Sequence, residues 1–289
     1  MSVQLQLLMG YVQFNLSNNV KIKVVQAFAY LGAAATLIFW WNTTLFILAM
    51  IWGWLLTGFG SSMSLHKMSA HQSFKPKNRL IKIILLFMGT IVSMGSTIYW
   101  CDTHRLHHGT SDTDKDPHPP NGTLWNKIKI WFYYFAPYQI NPMRVKDLIA
   151  DKDHMFFHRH YYKIVLGWIG LLALIDIKIA AYFYCVSMLY VFFGISYITV
   201  IAHVPKLAVK GYRLFNSSDY TYNSQLFAWL LWGEGYHNTH HSNPRLYNLA
   251  LLPNEFDYSA KVIEFIGVPY KQKPKAFNKI VKVEHGHYR

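Results

Sequence analysis

The chain has 289 residues, of which 52% are hydrophobic, 17% aromatic and only 15% charged. Soluble globular domains carry about a quarter charged residues, so this composition points to a membrane protein. Two isolated cysteines, Cys101 and Cys185, exclude a disulfide framework or a cysteine-based metal site. The net charge of +14 sits on residues flanking apolar segments, which suits an anionic lipid headgroup or a phosphorylated substrate carrier better than nucleic acid.

The first strongly apolar run begins near Val24 and is long, with no small-residue cleavage site before the next run, so no cleavable signal is expected. Val24–Trp41 and Leu45–Met63 are separated only by Asn42, Thr43 and Thr44. Each approaches the roughly 20 residues of a spanning helix, so together they predict a helical hairpin. A second hairpin is predicted from Tyr161–Ile175, a break at Asp176, Ile177 and Lys178, and a second arm from Ile179 to Ala202. The arm Tyr161–Ile175 is short. Lys21 and Lys23 precede the first helix; Lys67, Lys75, Lys77 and Arg79 follow the second. Arg159 and Lys163 precede the third; Lys206, Lys210 and Arg213 follow the fourth, and the hairpin turns hold only Lys178. By the positive-inside rule both termini face the cytoplasm.

Leu80–Trp100 is apolar enough for a fifth span, but crossing would put histidines on opposite faces of the membrane. The segment is therefore expected to be a broken helix, interrupted around Gly89 and Gly95, that does not cross. Residues 112–122 (DTDKDPHPPNG) form a turn-rich loop. Residues 125–160 mix aromatic and basic side chains and read as a membrane-hugging cytosolic segment. The tail carries Lys271, Lys273, Lys275, Lys279 and Lys282 and is expected on the headgroups. The whole chain, 1–289, reads as one domain without internal repeats.

Nine of the 15 histidines form a pattern: His66-x4-His71, His104-x2-His107-His108, the singleton His203, and His237-x2-His240-His241. Neutral imidazole binds iron, zinc, copper or nickel. Residues three and four apart share a helix face, so each HxxHH run is expected to aim its rings at one spot. His66 and His71 diverge on a regular helix, which predicts one at a helix end and the other just past it. A structural zinc site closes with four ligands, and nine exceed that need. Two metal ions with open positions use the whole set, although ligand count does not choose among iron, manganese and copper. His154, His158, His160, His285 and His287 fit no ligand pattern and are expected at the surface.

The segments Trp100-Cys101-Asp102-Thr103-His104-Arg105-Leu106-His107-His108, with Asp112, Asp116, Pro117 and His118 beyond it, and Gly233-Glu234-Gly235-Tyr236-His237-Asn238-Thr239-His240-His241 resemble the second and third histidine boxes of the membrane fatty acyl desaturases, delta-9 type. His66 to Lys75 resembles the first, and the resemblance extends from about Thr44 to Val268. It implies an all-α membrane protein of four transmembrane helices in two hairpins, with a cytosolic helical cap holding a non-haem di-iron site. It also implies the nine histidines His66, His71, His104, His107, His108, His203, His237, His240 and His241 as ligands. The implied reaction uses O2 to place a cis double bond in a saturated acyl chain, carried as acyl-CoA or acyl-lipid. No fused electron carrier is visible, so electrons are expected from a separate haem protein or ferredoxin-type donor. Trp100 matches a tryptophan beside the bend of the acyl chain, or else anchors the interface. His118 is expected to support a turn and the ligands rather than to ligate. Asp102 and Glu234 either orient ligand histidines or cap helices. Thr199 stands where the family often has an asparagine, Thr103 replaces an aspartate, and Gln72 replaces a common arginine. Two other readings are a fatty acyl hydroxylase of the same superfamily and a histidine-rich membrane metal transporter or sensor. The latter requires polar residues along the spans. A non-catalytic lipid-binding relative is a further alternative.

Overall fold

The computed structural model describes residues 22–120, 123–132, 140–208, 210–277, 280–284 and 287–288. The opening turn at Asn42 sets the first hairpin. Its side chain accepts from the Leu45 N–H (2.9 Å), capping helix α2 (Thr43–Ala70) three residues after helix α1 (Ile22–Phe39) ends. Asp176 does the same for the second hairpin. It closes helix α8 (Tyr161–Ile175) and caps helix α9 (Ile177–His203) by accepting from the Lys178 N–H. Tyr182 of α9 binds the two turns together: its hydroxyl donates to Trp40 O and accepts the Asn42 N–H, each at 2.7 Å.

Small residues let these helices approach closely. A methyl group added at Gly53 of α2 would meet the Ser187 carbonyl at 2.6 Å, and one at Gly32 of α1 would meet Cys185 Sγ at 2.6 Å. The outward faces stay apolar and uncovered, with Leu31, Phe39, Ile47, Ile51, Leu166 and Leu174 exposed. Three helices, α1, α2 and α9, are long and apolar enough to cross a membrane. Helix α8 is shorter, at 15 residues. No charged residue stands in α2 between Thr43 and Leu65, which counts against the path of ionisable residues a transporter would need.

Helix α2 runs beyond the predicted Met63 to Ala70 because its second half, from Thr57, winds as a π-helix buried against protein. The apolar segment that follows is broken, as expected. Helix α3 (Arg79–Ile91) ends before Ser93 (φ 59°) and Gly95 (φ 93°), and Ser96 caps helix α4 (Thr97–Thr110) by accepting from the Tyr99 N–H. At 13 and 14 residues, both fall short of a crossing. Short helices α5 (Leu124–Trp131), α6 (Lys146–Ile149) and α7 (Lys152–Arg159) occupy the 125–160 segment. Helices α10 (Gln225–Leu230), α11 (His237–Ser242) and α12 (Tyr258–Ile266) follow α9.

The fold is mostly helical, as expected, with a few short strands added. Strand β1 (Phe74–Pro76) pairs antiparallel with β3 (Gly267–Pro269). Strand β2 (Gly211–Arg213) pairs with β4 (Val281–Glu284), which pairs with β5 (His287–Tyr288). These sheets clasp the chain's last quarter to the segments leaving α2 and α9. The expectations for Lys21, Lys279 and His285 fall outside the described residues, as does the side chain of His287.

Lys67 strengthens that clasp. It is 2% exposed, and its ammonium donates to Tyr247 O (2.8 Å), Asp257 (2.8 Å) and Ser259. Removing one member of a buried pair leaves the other charged and unpaired. Asp257→Ala is therefore expected to cost about 3–5 kcal/mol, read as a lower thermal midpoint of the purified protein.

Candidate metal centre

The nine histidines gather from four helices into one buried layer, divided into two groups. His66, His71, His104, His108 and His240 form one group; His107, His203, His237 and His241 form the other. Within each group the ligand-capable atoms lie within 4.8 Å of one another. The division corrects the expectation that each HxxHH run serves one spot. Adjacent helical residues are about 100° apart around the axis. The pair His104 and His108 therefore faces the first group while His107 turns to the second, and His237 and His241 face the second while His240 turns to the first. The five-residue spacing of His66 and His71 also has a physical reason. The His71 N–H donates to His66 O (3.1 Å), the i→i+5 bond of a π-helix, which brings residues five apart onto one face at the helix end.

The ring nitrogens converge without enough protons to bind one another. His240 Nε2 lies 2.9 Å from His66 Nε2 and 2.8 Å from His108 Nε2. His104 Nε2 lies 2.8 Å from His71 Nε2 and 3.1 Å from His108 Nε2. In the second group, His203 and His237 approach to 2.9 Å through their Nε2 atoms. Each neutral imidazole nitrogen offers one proton or one lone pair, so a knot of five fits a shared cation far better than a hydrogen-bond network.

The opposite nitrogens of four of these rings meet carboxylates. Asp116 accepts from His107 Nδ1 at 2.9 Å, Asp112 from His203 Nδ1 at 3.0 Å and Asp219 from His241 Nδ1 at 3.0 Å, and the Glu234 carboxylate lies 2.7 Å from His66 Nδ1. Such carboxylates fix the tautomer and make the free nitrogen a better ligand. Glu234, which the sequence left open between orienting a ligand histidine and capping a helix, lies beside His66. Asp112, Asp116 and Asp219 were not identified in an orienting role, although Asp112 and Asp116 belong to the segment that resembles the second histidine box. Burial lowers the pKa of His71, His104, His108, His237, His240 and His241 far below its ordinary value, and neighbouring imidazoles lower it further. Burial alone would raise Glu234, but the His66 imidazole beside it holds its carboxyl below the usual range.

These histidines are neutral when folded and titrate near 6.5 when unfolded, so the unfolded chain takes up more protons on acidification. Their stabilising contribution is fully present above about pH 6.5 and is lost as pH falls toward their depressed folded values. Metal content and thermal midpoint are expected to fall together between about pH 7 and pH 5, measured after dialysis at each pH.

An apolar cavity of about 110 Å³ abuts the first group, between α1, α2, α4 and α9. Trp100 lines it and stacks on His104 (4.6 Å between centroids, 17° between planes). Thr199 also lines it, but its hydroxyl proton goes to Ile195 O (3.0 Å), leaving only lone pairs toward the site. His118 lines the cavity, with its ring 4.4 Å from that of His107. His107, Asp116 and His118 form a third close group.

Asp102 does not take up the orienting alternative. It is fully buried and accepts from Arg144 (2.8 Å) and the Asn141 N–H (3.0 Å), bracing the segment before α6. Gln72 donates to Asp147, which also receives two hydrogen bonds from Arg105. The Thr103 hydroxyl donates back to Tyr99 O. His154 and His158, expected at the surface, are instead buried. His154 contacts Ser69 (3.2 Å) and Asp151, and His158 contacts Ser96 (2.5 Å), so both pin α7 against the ends of the histidine-bearing helices. Their periodicity on a short polar helix gave no sign of burial.

The description of the fatty acid desaturase family matches residues 38–280. The chain is 31% identical over 201 residues to an sn-1 stearoyl-lipid 9-desaturase of Anabaena variabilis, covering 67% of this chain and 70% of that one. It is 30% identical over 227 residues to the enzyme of the same name from Synechocystis sp., covering 77% and 68%. It is 27% identical over 267 residues to the Delta-9 acyl-lipid desaturase 2 of Arabidopsis thaliana, covering 90% and 80%. With its histidine layer beside an apolar cavity, this chain belongs to the fatty acid desaturase family.

Proposed function

We propose that this protein is an oxygen-dependent acyl desaturase of the delta-9 type that introduces a cis double bond near the middle of a saturated acyl chain. The observation that carries the reading is the five-and-four division of nitrogen ligands beside an apolar cavity lined by Trp100. Two non-haem iron ions suit these donors, since an all-imidazole set with no bridging carboxylate accommodates a redox metal. Bound iron supplies the power to use O2 against an unactivated C–H bond.

The chain's own residues do the rest. Glu234, Asp112, Asp116 and Asp219 hold protons on the Nδ1 atoms and so direct the Nε2 lone pairs inward. The cavity excludes water and fixes which methylene faces the histidines, with Trp100 forming the wall next to His104. The names of the three relatives favour an acyl-lipid over an acyl-CoA substrate. The short α8 completes a four-span arrangement, with Arg159 just before it and Lys163 in its first turn. By the positive-inside rule the termini and histidine layer face the cytoplasm, where a separate haem protein or ferredoxin-type donor delivers electrons.

The test is gas chromatography–mass spectrometry of total fatty acids from a desaturase-free host that supplies a compatible electron donor. A new mono-unsaturated acid with the intact chain supports the reading. A hydroxy acid replaces it with hydroxylation, and unchanged lipids despite bound iron and a working donor overturn it.

A further inference from the structure

A second apolar groove lies away from the histidine layer, on the outer face where α3, α7 and α8 meet. It encloses about 330 Å³ and is walled by Phe87, Phe156, Phe157, Ile164, Trp168 and Leu171, with Gly167 at its floor. Ile164, Gly167, Trp168 and Leu171 follow the i, i+3, i+4, i+7 pattern of one helix face. Open space lies above Gly167: a methyl group there would meet nothing within 4 Å. The surrounding surface, with Leu166 62% and Leu174 87% exposed, belongs to the apolar belt of the helices.

The charge at one end of the groove identifies its occupant. Lys163 is one helical turn before Gly167, on the same face, and Arg159 ends α7 two residues after Phe157. Both are exposed, and neither forms an ion pair among the described residues, whereas nearby Arg79 and Lys82 are neutralised by Asp151 and Asp153. An apolar slot headed by two uncompensated cations complements a molecule with an anionic head and a hydrocarbon tail.

We propose that this groove binds one anionic phospholipid of the bilayer, its acyl chain over Gly167 and its phosphate between Arg159 and Lys163. The site is separate from the substrate cavity, whose lining shares no residue with it. Its position gives it a consequence, since α7 is the helix that His154 and His158 pin to α2 and α4. Lipid bound there steadies the joint next to the histidine layer, whether or not the layer performs desaturation.

The test is native mass spectrometry of the full chain, purified in mild detergent and titrated with phosphatidylglycerol or phosphatidylcholine. The wild type is expected to retain one phosphatidylglycerol that Gly167→Leu, which fills the floor, does not. Gly170→Leu is the folding control: Gly170 is equally open but lies outside the groove, and this variant should retain the lipid. Arg159→Gln and Lys163→Gln should each reduce the preference for phosphatidylglycerol by roughly fivefold, the equivalent of about 1 kcal/mol per surface cation. Equal retention by wild type and Gly167→Leu, or no preference between the lipids, overturns the proposal. Loss of a dimer peak in Gly167→Leu without loss of lipid also overturns it, assigning the groove to a second copy of the chain.

Discussion

His240→Ala is expected to eliminate product formation and to lower bound metal by about one ion per chain, the outcome for a side chain at the middle of its ligand group. His240 Nε2 stands between those of His66 and His108, at 2.9 and 2.8 Å, within the group of five imidazoles. Residues that merely orient a metal-bound histidine change affinity or activity by roughly 10–100-fold, so loss of a ligand should exceed about 100-fold. His160→Ala provides the control. That ring sits at the α7–α8 junction, bonded to Phe156 O, and its removal should leave product and metal unchanged. Metal analysis alongside fatty acid analysis checks both variants, and a His240→Ala protein with full metal content and product would refute the assignment.

Glu234→Gln is expected to weaken metal binding by roughly 10–100-fold while the protein stays folded. The Glu234 carboxylate lies 2.7 Å from His66 Nδ1 and accepts a hydrogen bond from Ser62, and Gly233 turns the backbone before it at φ 89° against Asp257. The amide preserves shape but removes the charge that keeps the Nδ1 proton in place. Asp102→Asn is the informative contrast, because Asp102 holds Arg144 and the Asn141 backbone rather than a ligand. It should lower the thermal midpoint and leave metal affinity intact. Chelator competition measures affinity and calorimetry measures stability. Equal loss of affinity in both variants would contradict the distinction.

The difference between these two acidic residues shows how far the sequence could be read. Both stand within a few residues of a histidine box, and local spacing gives them the same prospects. The long-range fold decides, by bringing α2 to Glu234 and the 141–144 turn to Asp102. The histidine pattern was legible because helix periodicity is local, and the break before Thr97 was legible from Gly95 and the requirement that the boxes meet. The sharing of each HxxHH run between two groups was not legible. It depends on α4 and α11 facing each other across the layer, so that His108 meets His240 while His107 meets His241. The π-helical turn that joins His66 to His71 was equally hidden, since it is stabilised by burial of Ser64, Lys67 and Ser69 rather than by local propensity. The short strands escaped notice because three-residue pairings, such as Phe74 to Pro76 with Gly267 to Pro269, are set by partners almost 200 residues away.

The central claim is that the two histidine groups hold two iron ions beside the acyl cavity. Metal analysis with X-ray absorption spectroscopy on the purified, iron-supplied full chain tests it most directly. The expected result is two irons per chain, each surrounded by nitrogen and oxygen neighbours with no sulfur, and an iron–iron contribution from the adjacent group. A single metal ion per chain, or a sulfur-ligated iron, would contradict the account.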